Sequence, residues 1–130
     1  MSKIMQSYLA GLLTYADDTT YFLAPYVNSY KRFKVGTFAP TKAIWSIDNR
    51  TAGYRVVAEN SQNIRVECRV GGSDLNPYLA LASQLSAGLK GIEDNLTLEA
   101  EFTGDAYQAD AARSIPSSLR DAAVALDQSE

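Results

Sequence analysis

The stretch NIRVECRV, residues 63–70, constrains the fold of this chain more than any other segment. Its even-numbered positions are all apolar, and its positions 65, 67 and 69 are Arg, Glu and Arg. Because successive side chains of a β-strand point to opposite faces, this pattern predicts a strand with one buried face and one charged face. The fold must therefore seal the first face and give the Arg-Glu-Arg row a role.

Two further segments, KAIWSI at 42–47 and GYRVVA at 53–58, have the β-branched and aromatic content that is typical of strands. The linkers between the three strands, DNRTA and AENSQN, are short and polar. Short linkers favour antiparallel pairing of neighbouring strands. The sequence therefore predicts an α+β fold in which helices pack on an antiparallel sheet of about three strands.

Helix signals flank these strands. Ser2 can cap a first helix that we expect to end near 17–18, and Ser117 or Ser118 can cap a short last helix. Asn76 before Pro77 predicts the start of a long helix. Its apolar stripe at positions 81, 85, 89 and 92 is expected to pack on the sheet. Residues 21–41 predict a long, mostly irregular connection, a kind of segment that often carries function.

Composition excludes several classes of site. The 130 residues are 46% hydrophobic and 21% charged, so we expect one globular domain over residues 1–130. No apolar run reaches the ~20 residues of a membrane span, and no secretory cleavage pattern is visible, so we expect a cytoplasmic chain. Cys68 is the only cysteine, and there is no histidine. Metal chemistry would therefore use carboxylates and hard cations such as Mg²⁺ or Mn²⁺.

Charge is divided unevenly along the chain. The net charge is −3, yet the stretch from Lys31 to Arg69 holds eight basic and three acidic residues. A basic middle within an acidic chain indicates a confined anion site, not a nucleic-acid surface. A chance cluster on a solvated face explains the same counts and stays open.

The charged face of the third strand is the candidate site. Arg65, Glu67 and Arg69 share that face, Arg55 joins it if the pairing register allows, and arginines 32 and 50 lie in the neighbouring loop and turn. Arginine suits bidentate binding of phosphate or carboxylate, and a carboxylate can bind a divalent cation. This combination is typical of phosphoryl transfer from a nucleotide, although VGGSD is no P-loop. Weak Arg–Glu pairs on a solvated sheet face remain the alternative.

Three blocks, NSYKRF, APTKAIWSIDNRTAGYRV and RVECRVGGSDLNPYLALASQLSAGLKGIE, resemble consecutive blocks in the C-terminal part of the glutamine synthetase catalytic domain. The resemblance covers nearly the whole chain. It implies ATP-dependent ligation of ammonia or an amine to glutamate, through a γ-glutamyl phosphate and with Mg²⁺ or Mn²⁺. WSIDNRT resembles most the relatives that ligate bulkier amines, such as γ-glutamylpolyamine synthetases.

The resemblance implies roles for three arginines that would contact or lie near ATP. Arg50 in DNRT and Arg55 in GYRV match arginines that contact the phosphates, and Arg50 is expected to be catalytic. Arg65 matches a position beside the nucleotide.

Other matches concern the amino-acid substrate and the metal. Arg32 in NSYKR matches an arginine that contacts glutamate. Arg69 matches a catalytic arginine that binds both the substrate carboxylate and the transferring phosphoryl group. Glu67 matches a metal-binding glutamate.

Two departures from the family pattern shape the expected activity. Intact members are longer, and the chain corresponds to about their last third, without the other metal ligands. We therefore expect no ligase activity from this chain alone. Phe38 stands where glutamine synthetases carry a glutamate at the ammonium site. This implies an amine other than ammonia, unless Phe38 only packs its loop.

Two further readings stay open. One is a non-catalytic module that binds nucleotide or another anion, or joins relatives as a regulatory subunit; the other is a scaffold with decaying motifs. In each case an uncovered sheet edge and apolar patches would favour a homo-oligomer.

Overall fold

The computed structural model describes residues 1–129 and confirms the α+β class. Two helices and a 3₁₀ helix precede the strands: α1 (Lys3–Thr14), α2 (Ala16–Leu23) and Val27–Arg32. The strands are β1 (Trp45–Ile47), β2 (Tyr54–Val57) and β3 (Arg65–Cys68). A long helix α3 (Pro77–Glu93), a second 3₁₀ helix (Ala106–Gln108) and helix α4 (Leu119–Asp127) follow. That residues 1–130 form a single domain stays a prediction.

The three strands form one sheet in the order β1-β2-β3. Strands β2 and β3 are antiparallel, as expected, with Arg55 opposite Glu67. Strands β1 and β2 are instead parallel, with Ser46 beside Arg55, so the expectation of antiparallel pairing throughout is wrong for this pair. The sheet is mixed.

The loop of residues 48–53 explains the parallel pair. Asp48 turns the chain sharply out of β1 with a left-handed φ of 49°, and its N–H still bonds to the Val56 carbonyl at 3.0 Å. The chain then returns to the beginning of β1, where Gly53 packs so closely that a Cβ would lie 2.5 Å from the Lys42 carbonyl oxygen. It therefore enters β2 in the same direction as β1. A two-residue hairpin would have reversed the direction.

The helix caps read from the sequence are confirmed. The Ser2 hydroxyl accepts from Met5 N–H at 3.2 Å, the Asn76 side chain caps α3 ahead of Pro77, and Ser118 caps α4. The expected end of the first helix near 17–18 is wrong. Helix α1 ends at Thr14, and α2 continues almost directly to Leu23. Helix α2 and the first 3₁₀ helix cover nine of residues 21–41, so this connection is mostly irregular, as expected.

The leucine stripe of α3, defined here as Leu81, Leu85 and Leu89, faces away from the sheet. These side chains are 71%, 53% and 52% exposed, so the expectation that they pack on the sheet is wrong. The buried positions of α3 are small residues: Ala80, Ala87, Gly88 and Gly91. Small residues let α1 pack very closely, because a Cβ on Gly91 would lie 2.3 Å from the Ser7 carbonyl oxygen. Leucines could not occupy that contact.

The main core lies between α1, α3 and the apolar face of the sheet. Its fully buried side chains include Leu9, Tyr54, Val56 and Val70. Val66 and Cys68 of β3 pack against the same cluster, which confirms the inward face of the NIRVECRV pattern. Within residues 1–129, no helix has both the length and the apolar character needed to cross a bilayer.

Candidate anion-binding site

The polar face of the sheet brings two arginines onto one carboxylate. Arg55 Nη1 lies 3.4 Å from Glu67 Oε2, and Arg69 Nη1 lies 3.3 Å from Glu67 Oε1. The β2–β3 register produces this contact, because Arg55 is directly opposite Glu67 and Arg69 is two residues further along the same strand face. The predicted convergence of Arg55 and Arg69 on one side of the sheet is therefore found.

The guanidinium of Arg69 is held on three sides. Besides Glu67, it donates from Nε to the Arg50 carbonyl at 3.0 Å and from Nη2 to the Phe38 carbonyl at 3.0 Å. Its side chain is only 16% exposed. A guanidinium fixed by two backbone oxygens has a defined plane, which is the condition for directional binding of an anion.

Arg55 is held less completely. Its Nη2 contacts Asp48 Oδ1 at 3.1 Å, and its Nη1 contacts Glu67. Its Nε is buried without a hydrogen-bond partner among residues 1–129. A buried guanidinium N–H without an acceptor is costly, and Arg55 is thus less well satisfied than Arg69.

The opposite face of the same strands is sealed. Tyr54 lies opposite Cys68 in the register, and both point into the core. Burial raises the pKa of Tyr54 well above its ordinary value and also raises the pKa of the Cys68 thiol. Both groups therefore stay neutral at physiological pH, and the charge of these two strands is confined to the arginine face.

Arg32 lies beside this cluster without joining it. Its Nη2 donates to the Val70 carbonyl at the end of β3, and its guanidinium lies 5.1 Å from the centre of the Phe33 ring. Burial lowers the pKa of Arg32, Asp74 opposes that shift, and the positive charge of Arg69 adds to it. The like charges of Arg32 and Arg69 are thus close enough to interact, as expected around an anion site.

Arg50 and Arg65 are placed differently. Arg50 contributes its backbone carbonyl to Arg69, and Arg65 donates to the Asn63 carbonyl at 3.3 Å from an exposed position. Within the described residues, neither side chain forms an ion pair. The structure thus brings together Arg55, Glu67 and Arg69 and leaves the side chains of these two arginines outside that contact.

The residues present do not by themselves form a metal site. Both oxygens of Glu67 already contact arginines, and Asp48 contacts Arg55 instead of joining Glu67. Across residues 1–129, no three Asp, Glu, Cys or His side chains come together as metal ligands. The chain alone therefore does not fit the expected Mg²⁺ or Mn²⁺ cluster, because Asp48 and Glu67, each paired with arginine, are too small a ligand set.

Asp48 and the backbone carbonyls that hold Arg69 were not identified from the sequence. Asp48 shares Arg55 with Glu67, and its place directly after β1 was the available signal. Phe38 has a left-handed φ of 56° and is 57% exposed, so its ring does not pack the loop. Non-glycine residues in this conformation are costly and often lie at functional sites. The backbone carbonyls that hold Arg69 leave no signal in side-chain patterns.

Comparisons with known proteins show the family of the chain. The family model for the glutamine synthetase catalytic domain matches residues 1–130. The γ-glutamylethanolamide synthetase of Streptomyces coelicolor is 47% identical over 95% of the chain, which spans 26% of that protein. The γ-glutamylputrescine synthetase of Escherichia coli is 38% identical over 82% of the chain, which spans 23% of it.

Solved structures give the same result for the fold. GmaS in complex with ADP superposes with a TM-score of 0.88 and 31% identity. The match covers 100% of this chain and 31% of the GmaS chain. The chain therefore spans about a quarter to a third of the length of the relatives that it matches.

Proposed function

Because the chain belongs to the glutamine synthetase family, as a part of the catalytic domain, we propose that it contributes one wall of the active site of an ATP-dependent glutamate–amine ligase. The observation that carries this proposal is the contact of Arg55 and Arg69 with one carboxylate, Glu67, on a single sheet face. In such a ligase, ATP would phosphorylate the γ-carboxylate of glutamate, and an amine would then displace the phosphate. We further propose a cytoplasmic location.

The arginines would act as electrostatic partners of the transferring phosphoryl group. Two carboxylates hold Arg55 and two backbone carbonyls hold Arg69, so both guanidinium groups are positioned before a polyanion arrives. Preorganised positive groups stabilise the charge of a phosphoryl-transfer transition state. Arg50 would contact the phosphates together with them, and Arg65 would lie beside the nucleotide. Arg32 would bind the glutamate substrate together with Arg69.

Glu67 would supply one ligand to a Mg²⁺ or Mn²⁺ ion. The remaining ligands would have to come from outside this chain, since its described residues form no further cluster. Bound metal would neutralise phosphate oxygens. For the same reason we propose that the chain alone has no ligase activity.

The amine would be larger than ammonia. Phe38 presents an exposed ring on the loop whose carbonyl holds Arg69. A phenyl ring cannot bind ammonium as a carboxylate does, but it can cover the apolar part of an organic amine. Relatives with ethanolamide, putrescine or isopropylamine in their names favour this reading.

A second candidate is a non-catalytic module that binds nucleotide or phosphate. The favouring observation is that the arginine cluster is assembled within a chain whose described residues form no group of metal-binding carboxylates. This candidate predicts phosphate binding by the chain with no turnover when the missing parts of the fold are supplied.

A chimera tests the proposal. The chain would replace the matching 123 residues of the S. coelicolor relative, and γ-glutamyl amide formation would be assayed with ammonia, ethanolamine, putrescine and isopropylamine. We expect ATP-dependent turnover with an organic amine. Arg69→Ala should lower the turnover rate at least a hundred-fold, and Phe38→Glu should shift the substrate preference towards ammonia. A folded chimera that binds ADP without any turnover would favour the module. Turnover by the isolated chain would contradict its proposed inactivity.

A further inference from the structure

We infer that residues 104–107, called the strap here, hold Arg69 in place. The strap forms hydrogen bonds to both backbone segments whose carbonyls accept from the Arg69 guanidinium, and each set of bonds is called a fastening below. Tyr107 is then a positioning residue of the site. Its importance for ligation rests on the proposed function, whereas the fastening itself rests on hydrogen bonds of this chain alone.

The first fastening is to the loop before β1. The Tyr107 hydroxyl donates to the Ala39 carbonyl at 2.9 Å. Ala39 is 2% exposed and directly follows Phe38, whose carbonyl accepts from Arg69 Nη2. This loop has no regular secondary structure, so the tyrosine bond and the burial of Ala39 together restrain where the Phe38 oxygen lies.

The second fastening is to the turn between β1 and β2. Asn49 Nδ2 donates to the Gly104 carbonyl at 2.8 Å, and Ala106 N–H donates to Thr51 Oγ1 at 2.9 Å. These two turn residues flank Arg50, whose carbonyl accepts from Arg69 Nε. The turn is therefore bonded to the strap on both sides of the oxygen that Arg69 uses.

The strap has a defined conformation of its own. Ala106 is fully buried in a small apolar cluster with Ile44 and Ala52, and Asp105 Oδ1 accepts from Tyr107 N–H at 3.0 Å. Gly104 has a φ of 105°, which other residues rarely adopt. A segment anchored by burial and by local hydrogen bonds can fix what is attached to it.

These bonds connect three stretches that are distant in sequence. The two carbonyls that hold Arg69 come from separate irregular segments, and both segments are tied to the same four residues. Without the strap, each carbonyl would keep its bond to Arg69 but would move with its own loop. The guanidinium plane would then lose the fixed orientation that binding of a phosphate requires.

The test compares two variants that each remove one tyrosine hydroxyl. Tyr107→Phe deletes the bond to Ala39, whereas the matched control Tyr8→Phe deletes a bond to the Gln84 carbonyl, 3.2 Å long, between α1 and α3. Proton exchange of the Arg69 guanidinium with water would be followed by NMR of the whole chain labelled at arginine nitrogens. The guanidinium signal that disappears in an Arg69→Lys variant is thereby assigned to Arg69.

We expect Tyr107→Phe to speed Arg69 exchange at least three-fold and Tyr8→Phe to leave it unchanged. Thr51→Val removes one of the two bonds between the turn and the strap, together with the bond from the Thr51 hydroxyl to Asn49 Oδ1, and should have the same effect as Tyr107→Phe. Equal rates of Arg69 exchange in wild type, Tyr107→Phe and Thr51→Val would overturn the inference. So would an equal increase in Tyr8→Phe, because that would indicate general loosening of the fold.

A titration with pyrophosphate separates this inference from the proposed function. We expect Tyr107→Phe to weaken pyrophosphate binding about three- to ten-fold, with Tyr8→Phe like wild type. Faster Arg69 exchange in a chain that binds no pyrophosphate would support the fastening and contradict the proposed anion site. Unchanged exchange together with normal pyrophosphate binding would contradict the fastening and leave the proposed function intact.

Discussion

The two faces of the β2–β3 ribbon have the same backbone register but opposite chemistry. On the inner face, Tyr54 and Val56 are fully buried and pack with the helices. On the outer face, Arg55 and Glu67 lie opposite each other, and Glu67 is 44% exposed. The inner face is closed by apolar contact, whereas the outer face keeps four charged side chains, those of residues 55, 65, 67 and 69, in partial contact with water.

This difference separates stability from binding. Burial of apolar side chains supplies most of the folding free energy, whereas partly exposed ion pairs supply little. Substitutions on the inner face should therefore change the free energy of unfolding. Substitutions on the outer face should change anion affinity in a chain that stays folded.

The strongest test of the comparison is Tyr54→Ala. Removing a fully buried aromatic ring should lower the free energy of unfolding by about 3–5 kcal/mol, because a cavity replaces its contacts. Urea unfolding followed by circular dichroism measures this change. The control Tyr78→Ala, at an 84% exposed position, should change stability by no more than about 0.5 kcal/mol. Similar losses in both variants would show that the inner face is not the stabilising one.

A third surface, the leucine stripe on α3, extends the comparison to association. Three exposed leucines in one row are apolar area that water does not favour, so we expect the chain to self-associate at tens of micromolar. Leu85→Lys should weaken this association at least ten-fold, as seen by light scattering. A wild-type chain that is monomeric under these conditions would contradict the expected homo-oligomer.

Glu67→Gln probes the outer face with a smaller effect. It removes the negative charge between Arg55 and Arg69 while preserving the shape of the side chain. In buffer free of divalent metal, affinity for pyrophosphate should rise several-fold. The free energy of unfolding should change by less than about 1 kcal/mol. Glu99→Gln, at an exposed position that forms no ion pair among residues 1–129, is the control for net charge. An equal rise in both variants would remove the special role of Glu67.

The smallest expected effect is that of Tyr30→Phe, in the 3₁₀ helix that carries Arg32. Burial raises the pKa of Tyr30 to about 12, and its hydroxyl has no partner among residues 1–129. At neutral pH the free energy of unfolding of the variant should therefore differ from that of wild type by less than about 1 kcal/mol. The folded state holds this proton more tightly than the unfolded state, whose tyrosine titrates near 10. Stability is thus lost as pH rises from about 10 to about 12.

Thermal unfolding between pH 9 and 12 measures this dependence. Tyr30→Phe should lose less stability than wild type above pH 10, although buried Tyr54 contributes a similar loss in both chains. Identical curves would mean that the Tyr30 hydroxyl is not desolvated.

The sequence predicted the parts of this fold that depend on local periodicity. The alternation in NIRVECRV predicted both faces of β3, and the Ser2 and Asn76 caps predicted two helix starts. The orientation of β1 was missed because it depends on the left-handed turn at Asp48. The stripe of α3 identified an apolar helix face, but the small residues on the other side determine which face α1 contacts.

For the candidate site, the side chains were predictable and their supports were not. The register of two strands was enough to bring Arg55 to Glu67, once both were placed on the same face. The carbonyls of Phe38 and Arg50 and the strap at 104–107 depend on contacts between distant segments. Side-chain patterns carry no information on such backbone acceptors.

The most direct test of the central claim compares two arginines of β3 in a calorimetric titration with pyrophosphate. Arg69→Ala removes a guanidinium that contacts Glu67, whereas Arg65→Ala removes the same charge from an exposed position outside the cluster. If Arg55 and Arg69 form an oriented anion site, Arg69→Ala should weaken binding at least ten-fold and Arg65→Ala about two-fold. Equal losses in the two variants would mean that only total charge matters, and would contradict the account.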